Sequence, residues 1–392
     1  MATRNWKEIF ANNPQLDETK KEWFERIAKQ EKVKWDYVRK THYRPRYKKT
    51  YTPAEKTPLE KIQEDLRVRS LNSKVNEYKN KYDALLKAYQ ESEQRFEVLI
   101  GIKEKVEIKY IEPINSNATH EAVPIIQLSD WHFEERVDDF TINGLNEYNL
   151  DIATKRWNAC IQNSLKLIKK ENNTSEIKQA VIWLGGDFIT GYIHEELEET
   201  NYLSPTQATR FAKEKIITAL KFYKQHSKLD KITVVCNYGN HGRTNKKPRV
   251  SSSYKNSYEW MMYKDIEDYF NSDKFYSFVV PDGLFAYVNI MGFSCRFWHG
   301  DTIQYGGGIG GLTVPLIKAI SRYNQQIKAD YNFMGHFHQL FQATKDCIVN
   351  GSGIGFNAYA QRIGASPEEP MQGFCLLDKK YGLTIKTPIF CK

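Results

Sequence analysis

The chain reads as an α/β protein whose core is preceded by a small helical unit and one long helix. Three observations predict this. Short apolar runs, Pro124–Leu128, Ala180–Leu184 and Ile232–Cys236, stop at Gly, Asn or Asp and have the composition of buried strands. Near the start, Trp23, Phe24 and Ile27 recur at helical spacing. From Val68 onward, apolar and aromatic residues alternate in steps of three and four as far as Leu99. The expected organisation is a basic helical unit over 1–50, a heptad helix over 51–102 and a catalytic domain over 103–392.

Composition bounds the reading. At 392 residues the chain can hold one large domain with one or two smaller units, and a charged fraction of 27% suits a soluble protein. No run of about 18 apolar residues is available to span a bilayer, and Met1–Glu8 lacks the apolar stretch of a secretory signal. No membrane association is therefore expected. Cys160, Cys236, Cys295, Cys347, Cys375 and Cys391 are scattered without a Cys-x-x-Cys pair. That predicts reduced, mostly buried thiols in a cytoplasmic protein rather than a disulfide framework or a zinc ribbon.

The net charge of +9 is unevenly placed. Residues 1–50 hold 14 Lys and Arg against 7 Asp and Glu, residues 51–100 hold 9 of each, and the rest of the chain carries only +2. The basic character belongs to the N-terminal unit. There, Asp17, Glu18 and Thr19 open a helix, acidic residues being favoured in a first turn. A second amphipathic segment, Val33–Lys40, runs into Tyr43-Arg44-Pro45-Arg46-Tyr47-Lys48-Lys49, where Pro45 ends any helix. One reading is a helix-turn-helix-like module whose second helix and tail bind nucleic acid, with Lys and Arg neutralising phosphate and Tyr stacking. The other is a solvated helical hairpin serving as a docking arm. We prefer nucleic acid as the partner.

Thr52-Pro53 and Thr57-Pro58 break the chain before the long helix. Its seam is Val68, Leu71, Val75, Tyr78, Tyr82, Leu85, Tyr89, Ser92, Phe96 and Leu99. Such a seam pairs with a second copy as a homodimeric coiled coil. Its three tyrosines favour the alternative, packing along the body of the same chain.

The catalytic domain is expected to begin near Lys103, with Val106–Ile111 alternating in period two as an early strand. Five clusters of metal-type ligands follow, each at the end of an apolar, strand-like run: Ser129-Asp130-Trp131-His132, Gly186-Asp187, Gly239-Asn240-His241, Trp298-His299-Gly300-Asp301 and Gly335-His336-Phe337-His338. Each alone is common. Together they are hard to explain as structure, because a core avoids unpaired buried Asp and His, whereas the C-terminal ends of strands in an α/β core face the ligand crevice. Carboxylate, imidazole and amide oxygen without thiolate suit Mn²⁺, Fe or Zn²⁺; Mn²⁺ is the first expectation.

The order Asp-x-His, Gly-Asp, Gly-Asn-His, His, Gly-His-x-His resembles that of the calcineurin-like metallophosphoesterases, over residues 130–338. The resemblance covers roughly the last three quarters of the chain and implies that superfamily's fold, a β-sandwich of mixed sheets flanked by helices. It implies that Asp130, His132, Asp187 and His338 hold one divalent metal. Asp187, Asn240, His299 and His336 would hold a second, with Asp187 bridging. The implied reaction is in-line attack on phosphorus by a metal-held hydroxide, with His241 as general acid on the leaving-group side. Many members carry an acidic residue directly after Gly-Asn-His; here Gly242 stands in its place. Another group must therefore orient His241, and Asp301 is one candidate.

Arg243, Lys246 and Lys247 lie in a loop with four cations and no acid over residues 243–249. They are read as holding substrate phosphates, the alternative being an exposed loop. Tyr305–Gly311 is glycine-rich but is no nucleotide-binding fingerprint. Trp131 and Trp298 flank ligands, as walls of the site or as platforms for a base or sugar. His194 reads as part of a solvated acidic loop or helix start. The preferred function is a two-metal phosphodiesterase or nuclease acting on nucleic acid. The alternative is a phosphatase of phosphoproteins or small phosphoesters with the N-terminal region as docking arm. A nucleic-acid-binding adaptor without catalysis ranks last, since the ligand set is complete.

Overall fold

The computed structural model describes residues 5–12, 19–34, 36, 38–40, 58–59, 66–67, 69–83, 108–114, 120–304 and 311–392. The chain divides into two compact units, Met1–Ser92 and Glu93–Lys392. In the first, helices α1 (Trp6–Asn12) and α2 (Lys20–Gln30) precede a short turn. Thr19 and Glu22 form a reciprocal capping box that fixes where α2 begins. Trp23, Phe24 and Ile27 are buried, and with Phe10, Ala28 and Val38 they make this unit's core. Lys32 turns the chain through the left-handed region at φ 54°, closed by a Val33 N–H bond to the Ala28 carbonyl of 2.9 Å. Residues 69–83 form helix α3, whose seam positions Leu71, Val75, Tyr78 and Tyr82 are exposed. The Tyr43–Lys49 tail, Thr52-Pro53, the seam beyond Asp83, the expected boundary near Lys103 and most of the Tyr305–Gly311 loop lie outside the described residues.

Among its described residues the second unit holds twelve strands: β1 (Lys109–Ile111), β2 (Ala122–Leu128), β3 (Gln179–Leu184), β4 (Lys231–Cys236), β5 (Tyr276–Val279), β6 (Ala286–Ile290), β7 (Phe293–Phe297), β8 (Tyr331–Met334), β9 (Phe341–Thr344), β10 (Cys347–Val349), β11 (Met371–Asp378) and β12 (Gly382–Phe390). Among the described residues, the expected early strand is limited to β1. The strands make two mixed six-stranded sheets, ordered β1-β6-β7-β8-β10-β9 and β12-β11-β2-β3-β4-β5. Strands β2 to β5 run parallel, joined by crossovers that carry helices α4 (Leu150–Glu171), α5 (Glu196–Thr200), α6 (Pro205–His226) and α7 (Tyr258–Phe270). Asn149 caps α4 by accepting from the Asp151 and Ile152 amides, and Pro205 opens α6 where its missing N–H costs nothing.

The fold is the expected sandwich of mixed sheets. Ile125, Val181, Trp183 and Val235 of one sheet share a core with Val288, Cys295, Phe297 and Phe333 of the other. The alternate residues Ile126, Ile182 and Val234 pack instead with Leu165, Ile216 and Met262 of the helices. Burial on both faces is why these strands read as continuous apolar runs rather than alternating ones. Helix α8 (Thr313–Asn324) packs with Trp298, Met334 and Val349 on the outer side of the other sheet, and α9 (Ala358–Arg362) follows β10. All six cysteines are free and buried. Among the described residues, no helix is long and apolar enough to cross a membrane.

Candidate metal centre

Five loops carry the seven expected ligands, and each follows a strand: β2, β3 and β4 in one sheet, β7 and β8 in the other. β2, β3 and β4 are mutually parallel, as are β7 and β8, so their C-terminal ends converge where the sheets meet. Backbone hydrogen bonds extend the pairing beyond the strands: Asp130 N–H to Gly186 O at 2.9 Å, His132 N–H to Asp187 O at 3.0 Å and Gly335 N–H to His299 O at 2.8 Å. Asp130, His132, Asp187, His336 and His338 all lie at positive φ, between 45° and 73°. Non-glycine residues seldom adopt that region, and holding them there costs about 1–3 kcal/mol each. Strain of this kind persists where the surrounding structure over-determines a functional geometry.

The ligand atoms fall into groups that could each hold an ion. Asp130, His132 and His338 form one, Asp187, His299 and His336 another; within each, the ligand atoms lie within 4.8 Å of one another. Asp187 also groups with His132 and His241, so its carboxylate stands between the two sets. Two glycines make room for this. A Cβ on Gly239 would come within 2.1 Å of Asp187 Oδ1, and one on Gly335 within 2.4 Å of Asp130 Oδ2.

The donor set fits cations. His299 Nδ1 faces the Gly185 carbonyl at 2.8 Å, so it carries the hydrogen and Nε2 is left for the site. That Nε2 faces Asp187 Oδ2 at 2.9 Å and Asn240 Oδ1 at 3.1 Å, two acceptors that want a positive centre between them. In the other group, the Thr190 hydroxyl donates to Glu135 and so must accept from His132 Nδ1 at 3.1 Å. The His132 Nε2 lone pair then points at His338 Nε2, 3.3 Å away, and His338 Nε2 lies 3.4 Å from Asp130 Oδ1. Without metal, protons take the cation's role. Burial disfavours the His299 imidazolium, yet Asp187 raises its pKa well above the ordinary value; burial and Asp130 act likewise on His338, with a net rise. Burial lowers His132 well below its usual range and His336 to about 3. Burial also pushes Asp187 up, but His299 and His241 overcome it and hold the carboxyl well below the usual range.

These shifts have signs that can be tested. The raised His299 stabilises the metal-free fold fully below about pH 6.5, a contribution lost as pH rises through its folded pKa. The depressed Asp187 stabilises it above the ordinary carboxyl range, a contribution lost as pH falls through its folded pKa. Metal must displace the protons on His299 and His338, so loading near pH 7 is expected to release protons and to tighten as pH rises. Calorimetric titration of Mn²⁺ in buffers of different ionisation enthalpy measures this; an enthalpy independent of buffer would contradict it.

His241 is placed by its neighbours. Its backbone N–H donates to Asp187 Oδ1 at 2.9 Å, and its Nδ1 meets the Thr190 carbonyl at 3.0 Å, which leaves Nε2 free. The group that orients His241 is therefore Thr190, not Asp301. Thr190 orients both histidines, and its loop is held in turn by Glu134, whose Oε1 accepts from the Thr190 and Gly191 amides. Burial pushes Glu134 up to about 8. Asn357, at the start of α9, donates to Glu135 at 2.8 Å. On the other side, Glu259 of α7 accepts from the amides of Asp187, Phe188 and Gly239.

Other expected residues are placed less simply. Arg243 is half-buried and donates to the carbonyls of Asn240, Asn245 and Lys246. Lys246 pairs with Glu195 at 3.4 Å, both ends well exposed, a pair worth about 0–1 kcal/mol. Lys247 is exposed. Trp131 and Trp298 are fully buried, packed against Phe133 and Trp157, and against Phe285 and Tyr323. They are walls, and neither can stack on a base or sugar. His194 is exposed just before α5. The sequence reading missed Glu134, Glu135, Thr190, Asn357 and Glu259. Only Glu134 and Glu135, directly after the first cluster, offered any local signal.

No protein-family description and no curated protein matches this sequence. Among solved structures, the chain is similar to Vps29 from Entamoeba histolytica complexed with Zn²⁺, at 10% identity over 68% of this chain and 99% of that one, with a TM-score of 0.28. A single-mutant form of the same Vps29 shares 12% identity over 68% and 99% of the two chains, with a TM-score of 0.26. A hypothetical protein from Pyrococcus horikoshii OT3 shares 12% over 68% and 88%, with a TM-score of 0.34.

Proposed function

We propose that the chain is a two-metal phosphoesterase of the calcineurin-like type, with nucleic acid phosphodiesters as its preferred substrate. The observation that carries the metal chemistry is Asp187, placed between two sets of imidazole and carboxylate ligands. Two divalent ions bound there supply Lewis-acid activation of water and neutralise charge developing at phosphorus. The chain's own part is to fix Asp187 through the His241 amide, to turn His132 and His241 through Thr190, and to leave His241 Nε2 for a proton on the leaving group. The preference for nucleic acid leans on the +7 of residues 1–50.

A phosphatase of phosphoproteins or small phosphoesters is the second reading, and the local contacts of the cationic loop weaken one support for nucleic acid. Arg243 donates to backbone carbonyls and Lys246 faces Glu195, which leaves fewer hydrogen-bond donors for a polyanion. Assaying the Mn²⁺-loaded protein on labelled single- and double-stranded DNA and RNA, a phosphopeptide and a bis-aryl phosphodiester decides between them. Turnover of the phosphopeptide alone would sink the nuclease reading. Deleting residues 1–50 is expected to weaken polynucleotide binding and flatten its salt dependence, by a slope of about 0.9 for each phosphate no longer neutralised, while small-diester turnover stays intact. Equal binding by both chains across a salt series would remove the tethering role.

A further inference from the structure

We infer that Glu259 is a positioning residue of this centre, supplied from helix α7 in place of a side chain at 242; the inference rests on the metal-site reading above. Glu259 is fully buried. Its Oε1 accepts from the Phe188 amide at 2.6 Å, and its Oε2 accepts from Gly239 at 2.7 Å and Asp187 at 3.2 Å. One carboxylate thus ties the loop after β3, which carries Asp187, to the loop after β4, which carries Asn240 and His241. The start of α7 is itself fastened to the second loop, through the Tyr258 amide on the Gly242 carbonyl and the Thr244 amide on the Asn256 carbonyl, both 2.9 Å.

Position 242 has no room for a second such group. A Cβ on Gly242 would lie 2.7 Å from Glu259 Cγ and 3.1 Å from its Cδ. The glycine and the helix glutamate therefore form a matched pair, in which the small residue admits the long one. Only an ionised carboxylate offers acceptors alone to all three amides; an amide side chain turns a donor toward at least one of them. Glu259 touches no reacting atom, and it acts through the position of Asp187 and of the Gly239 turn.

The test uses the full chain as Glu259→Gln, Glu259→Ala and Glu259→Ala/Gly242→Glu, first without metal and then titrated with Mn²⁺. In Glu259→Gln, amide exchange at Asp187, Phe188 and Gly239 is expected to quicken at least tenfold with the cooperative melt retained. Affinity for the second Mn²⁺ equivalent falls at least tenfold. The double variant recovers part of both losses relative to Glu259→Ala, and the distinction from mere space filling lies in Glu259→Gln, which keeps the side chain's size and removes its charge. Unchanged exchange and Mn²⁺ affinity in Glu259→Gln overturns the assignment, as does a double variant no better than Glu259→Ala. If the wild type binds fewer than two Mn²⁺, the two-metal reading fails, while exchange in the metal-free protein still decides the role of Glu259.

Discussion

Asp187→Ala is expected to remove phosphodiester turnover by a factor of about 10³ or more, the equivalent of about 4 kcal/mol of transition-state stabilisation. The carboxylate groups with His299 and His336 on one side and with His132 and His241 on the other, so its loss is expected to weaken both proposed sites at once. The damage extends to the metal-free fold. His299 and Asp187 form a buried pair at 2.9 Å, and breaking such a pair from one side costs about 3–5 kcal/mol because the remaining charge is left uncompensated. Asp187→Asn distinguishes the hydrogen bond from the charge, since an amide oxygen can still accept the His241 N–H while the negative charge facing His299 is gone. Metal stoichiometry, melting temperature and kcat together read this out. Two tightly bound ions in Asp187→Ala would disprove the bridging role.

His241→Ala is expected to lower kcat by about 10²- to 10⁴-fold on substrates with poor leaving groups, and by much less on a bis-aryl diester whose leaving group departs unprotonated. The free Nε2 sets this expectation. Its partner Nδ1 is occupied by the Thr190 carbonyl, so one nitrogen remains to serve the leaving oxygen. His241 also lies within ligand reach of Asp187 and His132, which suggests a metal-ligand role as the competing assignment. The two differ in a measurable way. Loss of a general acid leaves Mn²⁺ affinity nearly unchanged and steepens the dependence of rate on leaving-group pKa, whereas a lost ligand weakens metal binding and slows all substrates alike.

Much of the fold, and the residues that it gathers into candidate metal groups, were legible in the sequence for a physical reason. Strands such as β2 and β3, buried on both faces, announce themselves as short apolar runs, and ligands at their C-terminal ends sit at fixed, readable offsets from them. The capped helix α2 and its Trp23 stripe were equally local. What could not be read were groups whose role exists only across the chain. Glu259 is an ordinary residue near the start of an amphipathic helix, and nothing nearby says that its carboxylate reaches the turns after β3 and β4. Thr190 orients two histidines from a loop with no motif of its own. The burial of Trp131 and Trp298 was likewise undecidable, because a tryptophan beside a ligand has the same letters whether it faces solvent or core.

The ligands are far apart along the chain, and that spacing sets an order of events. His132 meets His338 across 206 positions, and Ser129, beside Asp130, takes its amide partner from Gln372, 243 positions on. Strand β11, which borders β2, is likewise made long after it. A nascent chain short of His338 therefore lacks a ligand of the first group, and one short of β11 has an unpaired β2 edge. A metal held by the complete candidate centre would therefore have to wait for β11: a shorter nascent fragment can offer scattered histidines to an ion, but the assembled cage needs both β8 and β11 in place.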